Sequence, residues 1–209
     1  MKKFKPILWL FLFGSLWGIN EVVLGDTLYR TDTPSPAIIL IVCALLLLAI
    51  ARGMFNKPGS STIIGTFAAL FRLVNTAPSY CHLLGIFLLG LTFDMIASLL
   101  IRDKEKVTLR HSLTGAMSAL GNNALFAIVI TYIIRYEYWV VGGLPKVAHH
   151  IFVSGSISAL WALFLVPLGF WIGQKGWIQA ERRPQWSYAG TVIGSIALWI
   201  LVRLLITEL

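Results

Sequence analysis

Charged side chains are scarce in this sequence. Asp, Glu, Lys and Arg together account for 12% of the 209 residues, whereas a soluble domain averages about 25%. Hydrophobic residues account for 57%, and the mean hydropathy is +0.80. This balance excludes an ordinary soluble domain and predicts an integral membrane protein.

Several motifs with well-understood chemistry are missing as well. Cys43 and Cys81 are the only cysteines and form no C-x-x-C pair, so we interpret them as packing residues. The phosphate-binding motif G-x-x-x-x-G-K-[ST] is absent, which predicts that the chain encodes no ATPase. G-x-S-x-G is also absent, so serine hydrolase chemistry is not indicated.

Long apolar runs dominate instead. A helix that crosses a membrane needs about 20 mostly apolar residues. The third run is short and carries Arg72, so it is either a span or a partial, re-entrant segment. We predict one polytopic transmembrane domain over residues 1–209, an all-α bundle of about seven (six to seven) transmembrane helices. The predicted segments are Lys5–Gly25, Pro36–Phe55, Ser61–Ala77, Cys81–Ile101, Ser112–Arg135, His149–Gly173 and Tyr188–Thr207.

Basic residues set the predicted orientation. With a cytoplasmic amino terminus, twelve of the 17 Lys and Arg residues face the cytoplasm, three face outward and two fall within spans. That asymmetry follows the positive-inside rule and predicts a multi-pass protein of the cell (inner or cytoplasmic) membrane. The net charge of +8 then reflects topology and contact with membrane lipids, not nucleic acid. The basic, apolar start lacks an A-x-A cleavage site, so we interpret it as a retained first span.

Two outer connections are longer than simple turns require. One is Asp26–Ser35, and the other is Tyr136–Ala148, which contains Gly142, Gly143 and Pro145. Loops of this kind can cover a site that opens outward, or they can be plain connectors.

Glu21 is the strongest functional signal. An Asp, Lys or Arg at the centre of a span costs about 2.5–3.5 kcal/mol, and ionisable residues there usually face the bundle interior. At 100° per residue, Glu21 shares a face with Gly14, Trp17 and Gly18. Since small residues mark helix contacts in membranes, Glu21 is predicted to point inward. The alternative is an interfacial Glu that reaches the headgroups.

Polar residues on several spans lie at similar depth towards the outer side. We predict that they form an outward-facing intramembrane cavity for a small polar molecule. Glu21 and Arg72 are predicted to pair with each other at rest or to bind the charged ends of a ligand. Arg72 could instead extend to the headgroups, and the amides could simply join neighbouring helices. The candidate substrate-binding residues are Trp17, Asn20, Glu21, Arg72, Asn75, His82, Asn122, Asn123, His150, Ser154 and Trp161.

Asp94 lies alone in the inner third of its span. It is interpreted as a structural partner for Asn122, a cytoplasmic base or a residue that couples substrate binding to energy input. Two G-x-x-x-G pairs are candidates for helix packing or partner docking; these are Gly14 with Gly18 and Gly190 with Gly194.

Two other functional classes remain open. An intramembrane enzyme of the metal-dependent hydrolase type would need a zinc site from Glu21, His82 and His150. The sequence has neither H-E-x-x-H nor H-x-x-x-H, so we predict no metal, no cofactor and no catalytic residue. A structural or assembly subunit would use the glycine pairs.

The run Gly14-Ser-Leu-Trp17-Gly18-Ile-Asn20-Glu21, followed by an outer loop and a compact helical bundle, resembles the substrate-binding (S) components of energy-coupling factor transporters. Those are small bacterial and archaeal membrane proteins that bind vitamins or metals near the outer face. They dock to a separate transmembrane subunit driven by two ATPases. The resemblance implies a transport subunit with a vitamin-like substrate, a loop at Asp26–Ser35 that closes over it, and docking through Gly14 and Gly18. Family members usually have six spans and both termini inside, whereas this sequence predicts seven.

Overall fold

The computed structural model describes residues 5–31, 33–75, 80–101, 107–182 and 184–207. All regular elements in these ranges are helical, which confirms the all-α prediction. The α-helices are α1 Lys5–Ile19, α2 Gly25–Arg30, α3 Pro36–Phe55, α4 Ser60–Asn75, α5 Tyr80–Leu100, α6 Leu109–Ile128, α7 Glu137–His149, α8 Gly155–Arg182 and α9 Pro184–Thr207.

Helix length and composition indicate a multi-pass membrane protein. Among the described residues, five helical stretches are long and apolar enough to cross a membrane. Two shorter apolar helices, Ser60–Val74 and Ala189–Leu204, correspond to the third and seventh predicted segments. The five longer stretches are Ile7–Arg30, Pro36–Phe55, Tyr80–Leu100, Leu109–Ile133 and Glu137–Ile178.

Six of the helices close a cycle. Going round it, α1 packs on α4, α4 on α5, α5 on α6, α6 on α8, α8 on α3, and α3 on α1. Helix α3 also contacts α4, α5 and α6 and is therefore the most enclosed. Helix α9 lies outside the cycle against α1, where Trp199 donates a hydrogen bond to Oγ of Ser15 across 3.1 Å.

Glycines allow the helices of the cycle to approach closely. A Cβ atom at Gly18 would lie 2.5 Å from Cγ of Phe71 on α4, and one at Gly14 would collide with Phe67. The Gly14/Gly18 face is thus buried inside the chain against α4, so it packs helices and is not open to a partner subunit. Gly190 has no described heavy atom within 4 Å of such a Cβ, and Gly194 only touches Leu12.

The predicted outer loop Tyr136–Ala148 is wrong, because most of it is helix α7. Gly143 adopts φ 56° and ψ −158° and splits α7 into two helical pieces, with Pro145 just after the kink. One helical piece therefore ends at Gly143, and a second begins directly after it, with no long loop between them. The other predicted loop is shorter than expected, because α2 extends to Arg30.

Three π-helical turns occur at one end of the bundle. They are Asn20–Leu24, between α1 and α2; Val129–Ile133, after α6; and His150–Ser154, between α7 and α8. All three lie at the end opposite Lys5, which we call the distal end. A π-helical turn holds an extra residue, rotates the side chains that follow it, and is frequent at functional sites.

Candidate functional site

A cavity of about 390 Å³ lies at the distal end. That volume is within the range of small-molecule pockets. It is open to the surface, and its lining includes the exposed side chains of Tyr29, Tyr136 and Tyr138. Five residues that the sequence predicts for the binding site line it together: Trp17, Glu21, His82, Asn122 and His150.

Glu21 forms the acidic part of the wall and is nearly fully buried. Its Oε1 atom accepts a hydrogen bond from Nε1 of Trp17 across 3.0 Å, since the two residues are one helical turn apart. Its Oε2 atom lies 3.9 Å from Nη1 of Arg72, so the predicted ion pair is present. That distance exceeds a hydrogen bond, and the oxygen keeps capacity for another donor.

Arg72 stands behind the cavity wall and does not line it. It donates from Nη1 to the backbone carbonyl of Glu21 and from Nη2 to Oδ1 of Asp26 across 3.1 Å. The guanidinium therefore fixes the backbone at the π-helical turn Asn20–Leu24, where a carbonyl has lost its regular helical partner. Among the described residues, this one guanidinium is paired with two carboxylates.

Asn122 is the second buried polar group of the wall. It lies on α6 and is only 3% exposed. Its Oδ1 atom makes no hydrogen bond with any described residue. Leaving a buried acceptor unpaired costs about 1–3 kcal/mol. A ligand that donates a hydrogen bond there would recover that cost.

Aromatic rings enclose the remaining sides. Phe126, Trp139 and His150 pack edge-to-face or tilted, with ring centroids 5.1–5.7 Å apart. Tyr29 and His82 also line the cavity, with their rings tilted by 57° and their centroids 5.3 Å apart. Their polar atoms Oη and Nε2 are 3.3 Å apart. The walls can hold a flat ligand through ring contacts and present two imidazoles for hydrogen bonding.

Four predicted site residues lie away from the cavity. Asn123 packs between α6 and α8 and donates to the carbonyl of Ala119 across 2.8 Å. Ser154 accepts from Ser158 through its carbonyl. Trp161 is 58% exposed on the outer surface of α8, so its prediction as a cavity wall is wrong. Asn20 is half-buried but does not line the cavity, and the side chain of Asn75 lies outside the described residues.

Asp94 has a partner that the sequence did not indicate. Its Oδ1 atom lies 2.8 Å from Nη1 of Arg52, not beside Asn122, and both charged side chains are buried. Asp94 also accepts from the backbone N–H groups of Gly59 and Thr62, each across 3.0 Å. The carboxylate caps the start of α4. Asp94 thus joins α3, α4 and α5 at the Lys5 end, far from the cavity.

The structure gives no support to the alternative zinc site. Glu21, His82 and His150 line one cavity, yet no group of three His, Cys, Asp or Glu side chains in the described ranges is placed to hold a metal ion. His111 does not line this cavity. Its Nδ1 atom accepts a hydrogen bond from the backbone N–H of Thr108 across 3.1 Å in the capping box of α6.

Several lining residues escaped the sequence-based prediction. Tyr138 and Trp139 belong to an aromatic cluster of the kind typical of a membrane interface, and here they line the cavity. Phe126 could have been found, because it follows Asn122 by one helical turn and shares its face. Tyr29 and Gly85 carry no comparable signal.

The site is therefore a surface-connected cavity with acceptor oxygens, two imidazoles and aromatic walls, which can bind a small molecule. No family model, no curated protein and no solved structure matches this chain.

Proposed function

We propose that this chain is the substrate-binding subunit of a membrane transporter and that a small polar or vitamin-like molecule occupies the cavity. The observation that carries the proposal is the buried, unpaired acceptor Asn122 Oδ1, which shares with the Glu21 carboxylate the wall of a cavity of about 390 Å³. Buried polar groups without partners are rare in folded proteins. A ligand with a donor would satisfy that acceptor.

The cavity faces outward in this proposal. Arg52, Lys57 and Lys175 lie at the Lys5 end, whereas Arg30, Arg135 and Lys146 lie at the distal end. With the full Lys and Arg distribution of the sequence, the positive-inside rule favours a cytoplasmic Lys5 end. The distal end then meets the outside of the cell membrane, from which the substrate enters.

In this proposal separate subunits supply the energy for transport, since the sequence has no phosphate-binding motif of its own. The Gly14/Gly18 face is covered by α4, so a transmembrane coupling subunit would have to contact a different surface.

Filling the cavity tests the binding function. A Cβ atom at Gly85 would lie 3.7 Å from Cε2 of Phe126, so the rest of a leucine side chain at Gly85→Leu extends into the cavity. Gly190→Leu is the matched control, because that position has open space. Each protein is incubated with host metabolite extract, desalted and heat-denatured, and the released molecules are identified by mass spectrometry.

We expect one compound to accompany the wild-type protein and Gly190→Leu in near-stoichiometric amount and to be lost from Gly85→Leu. Equal retention by Gly85→Leu, or no enriched compound with the wild-type protein, would overturn the proposal. The energising partners have a separate test. Affinity purification from mild detergent should recover a membrane subunit and ATPases, and substrate uptake should then depend on ATP.

A further inference from the structure

The charges and rings around the cavity indicate which ligands it accepts. Resting on the binding function proposed above, we propose that the cavity selects small, planar organic cations with N–H donors, of the amidinium or aminated heteroaromatic class. Three independent features of the wall carry this inference: its charge, its hydrogen-bonding groups and its rings.

The charge near the cavity is negative. Glu21 lines it, and among the described residues no Lys or Arg does. Arg72 is the cation paired with Glu21, but it is closer to Asp26, at 3.1 Å against 3.9 Å. Two carboxylates thus share one guanidinium. The nearby Lys146 ammonium lies at the rim, 5.2 Å from the ring centroid of Trp139. A cationic ligand would meet the Glu21 carboxylate in the deep part of the cavity, whereas an anion would face that carboxylate in a poorly solvated site.

The hydrogen-bonding groups of the deep wall are acceptors. Asn122 Oδ1 has no described partner. Glu21 Oε2 has Arg72 only at 3.9 Å, beyond hydrogen-bond distance. A donor from the ligand would satisfy Asn122 Oδ1 and would give Glu21 Oε2 a closer partner than Arg72. Amidinium and aminated ring cations present two or more N–H groups in one plane, whereas quaternary ammonium ions present none.

The rings suit a flat cation. Trp17, Tyr29, Phe126 and Trp139 contribute to the wall, and the faces of such rings attract cations. One ring at the rim already does so: the Lys146 ammonium lies 2.9 Å from the ring centroid of Tyr138 and donates to the carbonyl of that residue across 3.0 Å. That ammonium is therefore held at the rim and does not satisfy the deep acceptors.

A charge series with constant shape tests the inference. Benzamidine, benzamide and benzoate have similar size and planarity but carry positive, zero and negative charge at neutral pH. Their affinities for the wild-type protein in detergent micelles are measured by ligand-observed NMR titration, with signal from Gly85→Leu subtracted as binding outside the cavity. We expect benzamidine to bind at least about tenfold more tightly than benzamide, and benzoate to bind most weakly.

Two variants test whether the preference for benzamidine over benzamide comes from Glu21. Glu21→Gln should reduce the advantage of benzamidine over benzamide to about threefold or less, because it removes the charge that distinguishes the two ligands. The ratio of the two affinities is the readout, because Gln also replaces one acceptor oxygen by an NH₂ group, which affects both ligands. Glu137→Gln, a carboxylate exposed at the same end, should leave all three affinities unchanged. If Glu21→Gln does not fold, the order of the three ligand affinities measured on the wild-type protein still tests the proposed ligand class.

Binding of benzoate or benzamide as tight as that of benzamidine would overturn the proposed ligand class. If that binding is lost in Gly85→Leu, the cavity still binds small molecules and the proposed function stands. Absence of any binding that Gly85→Leu removes would also overturn the ligand class, and the metabolite experiment above then decides the function separately.

Discussion

The Asp94 carboxylate joins three helices at the Lys5 end, so its removal should destabilise the fold strongly. Arg52 donates to it across 2.8 Å, and both side chains are buried. Breaking a buried ion pair from one side costs about 3–5 kcal/mol, because the remaining charge loses its partner but stays desolvated. Loss of the cap on α4, where Thr62 donates its backbone N–H, adds up to about 2 kcal/mol. Asp94→Ala should lower the free energy of unfolding by about 3–6 kcal/mol.

A double-mutant cycle separates the ion pair from the cap. Unfolding of Asp94→Ala, Arg52→Met and the double variant is followed by titration with a denaturing detergent, with the exposed Glu137→Ala as control. The double variant should be about 1–3 kcal/mol more stable than the sum of the single effects predicts, because no unpaired charge remains. Additive effects, or a loss below about 1 kcal/mol in Asp94→Ala, would refute the reasoning.

Three further substitutions test the site and the packing through thermal unfolding in detergent. Asn122→Leu should leave the ligand-free protein equally stable or about 1 kcal/mol more stable, because it removes an unpaired acceptor. The same substitution should weaken ligand binding. A clear loss of stability would show that the amide has a partner. Gly18→Leu should cost about 1–3 kcal/mol by overpacking against α4, whereas Gly190→Leu should not; equal effects would contradict the packing. Trp199→Ala should lower the free energy of unfolding by about 2–3 kcal/mol, which is below the value for a fully buried Trp. Trp161→Ala, at an exposed position, should lower it by less than about 1 kcal/mol. The reverse order of the two losses would contradict the placement of α9.

The helices themselves could be predicted well from apolar runs. Helix α3 has the predicted bounds Pro36–Phe55, because Pro36 starts the helix and the run is continuously apolar. The inward position of Glu21 also followed from spacing alone. It shares a face with Trp17 four residues earlier, and that spacing is what produces their hydrogen bond.

Side chains beyond a π-helical turn could not be placed in this way. A count of 100° per residue places His150, Ser154 and Trp161 on one face of the sixth predicted segment. Residues 150–154 form a π-helical turn, however, in which the angle per residue is different. The buried face of α8 runs through Gly155, Ser158 and Ala162 instead. Trp161 falls beside that face and is exposed.

Long-range pairing was also beyond the sequence. Arg52 and Asp94 are 42 positions apart and lie on helices that are not consecutive, so their contact depends on how α3 and α5 pack. Arg52 was assigned to the cytoplasmic surface because it ends an apolar run. A buried arginine at a helix end looks the same in sequence as a solvated one.

The π-helical turns have a consequence for how this chain can change in evolution. Each amounts to one residue inserted into an α-helix, and removal of one residue from Asn20–Leu24 or His150–Ser154 would restore regular α-helix. Either deletion would keep the span intact and yet rotate Glu21 or His150 relative to the rest of its helix. Homologous chains can therefore be expected to differ here by single-residue gaps within membrane spans. Such gaps would change the shape of the cavity without altering the number or order of helices.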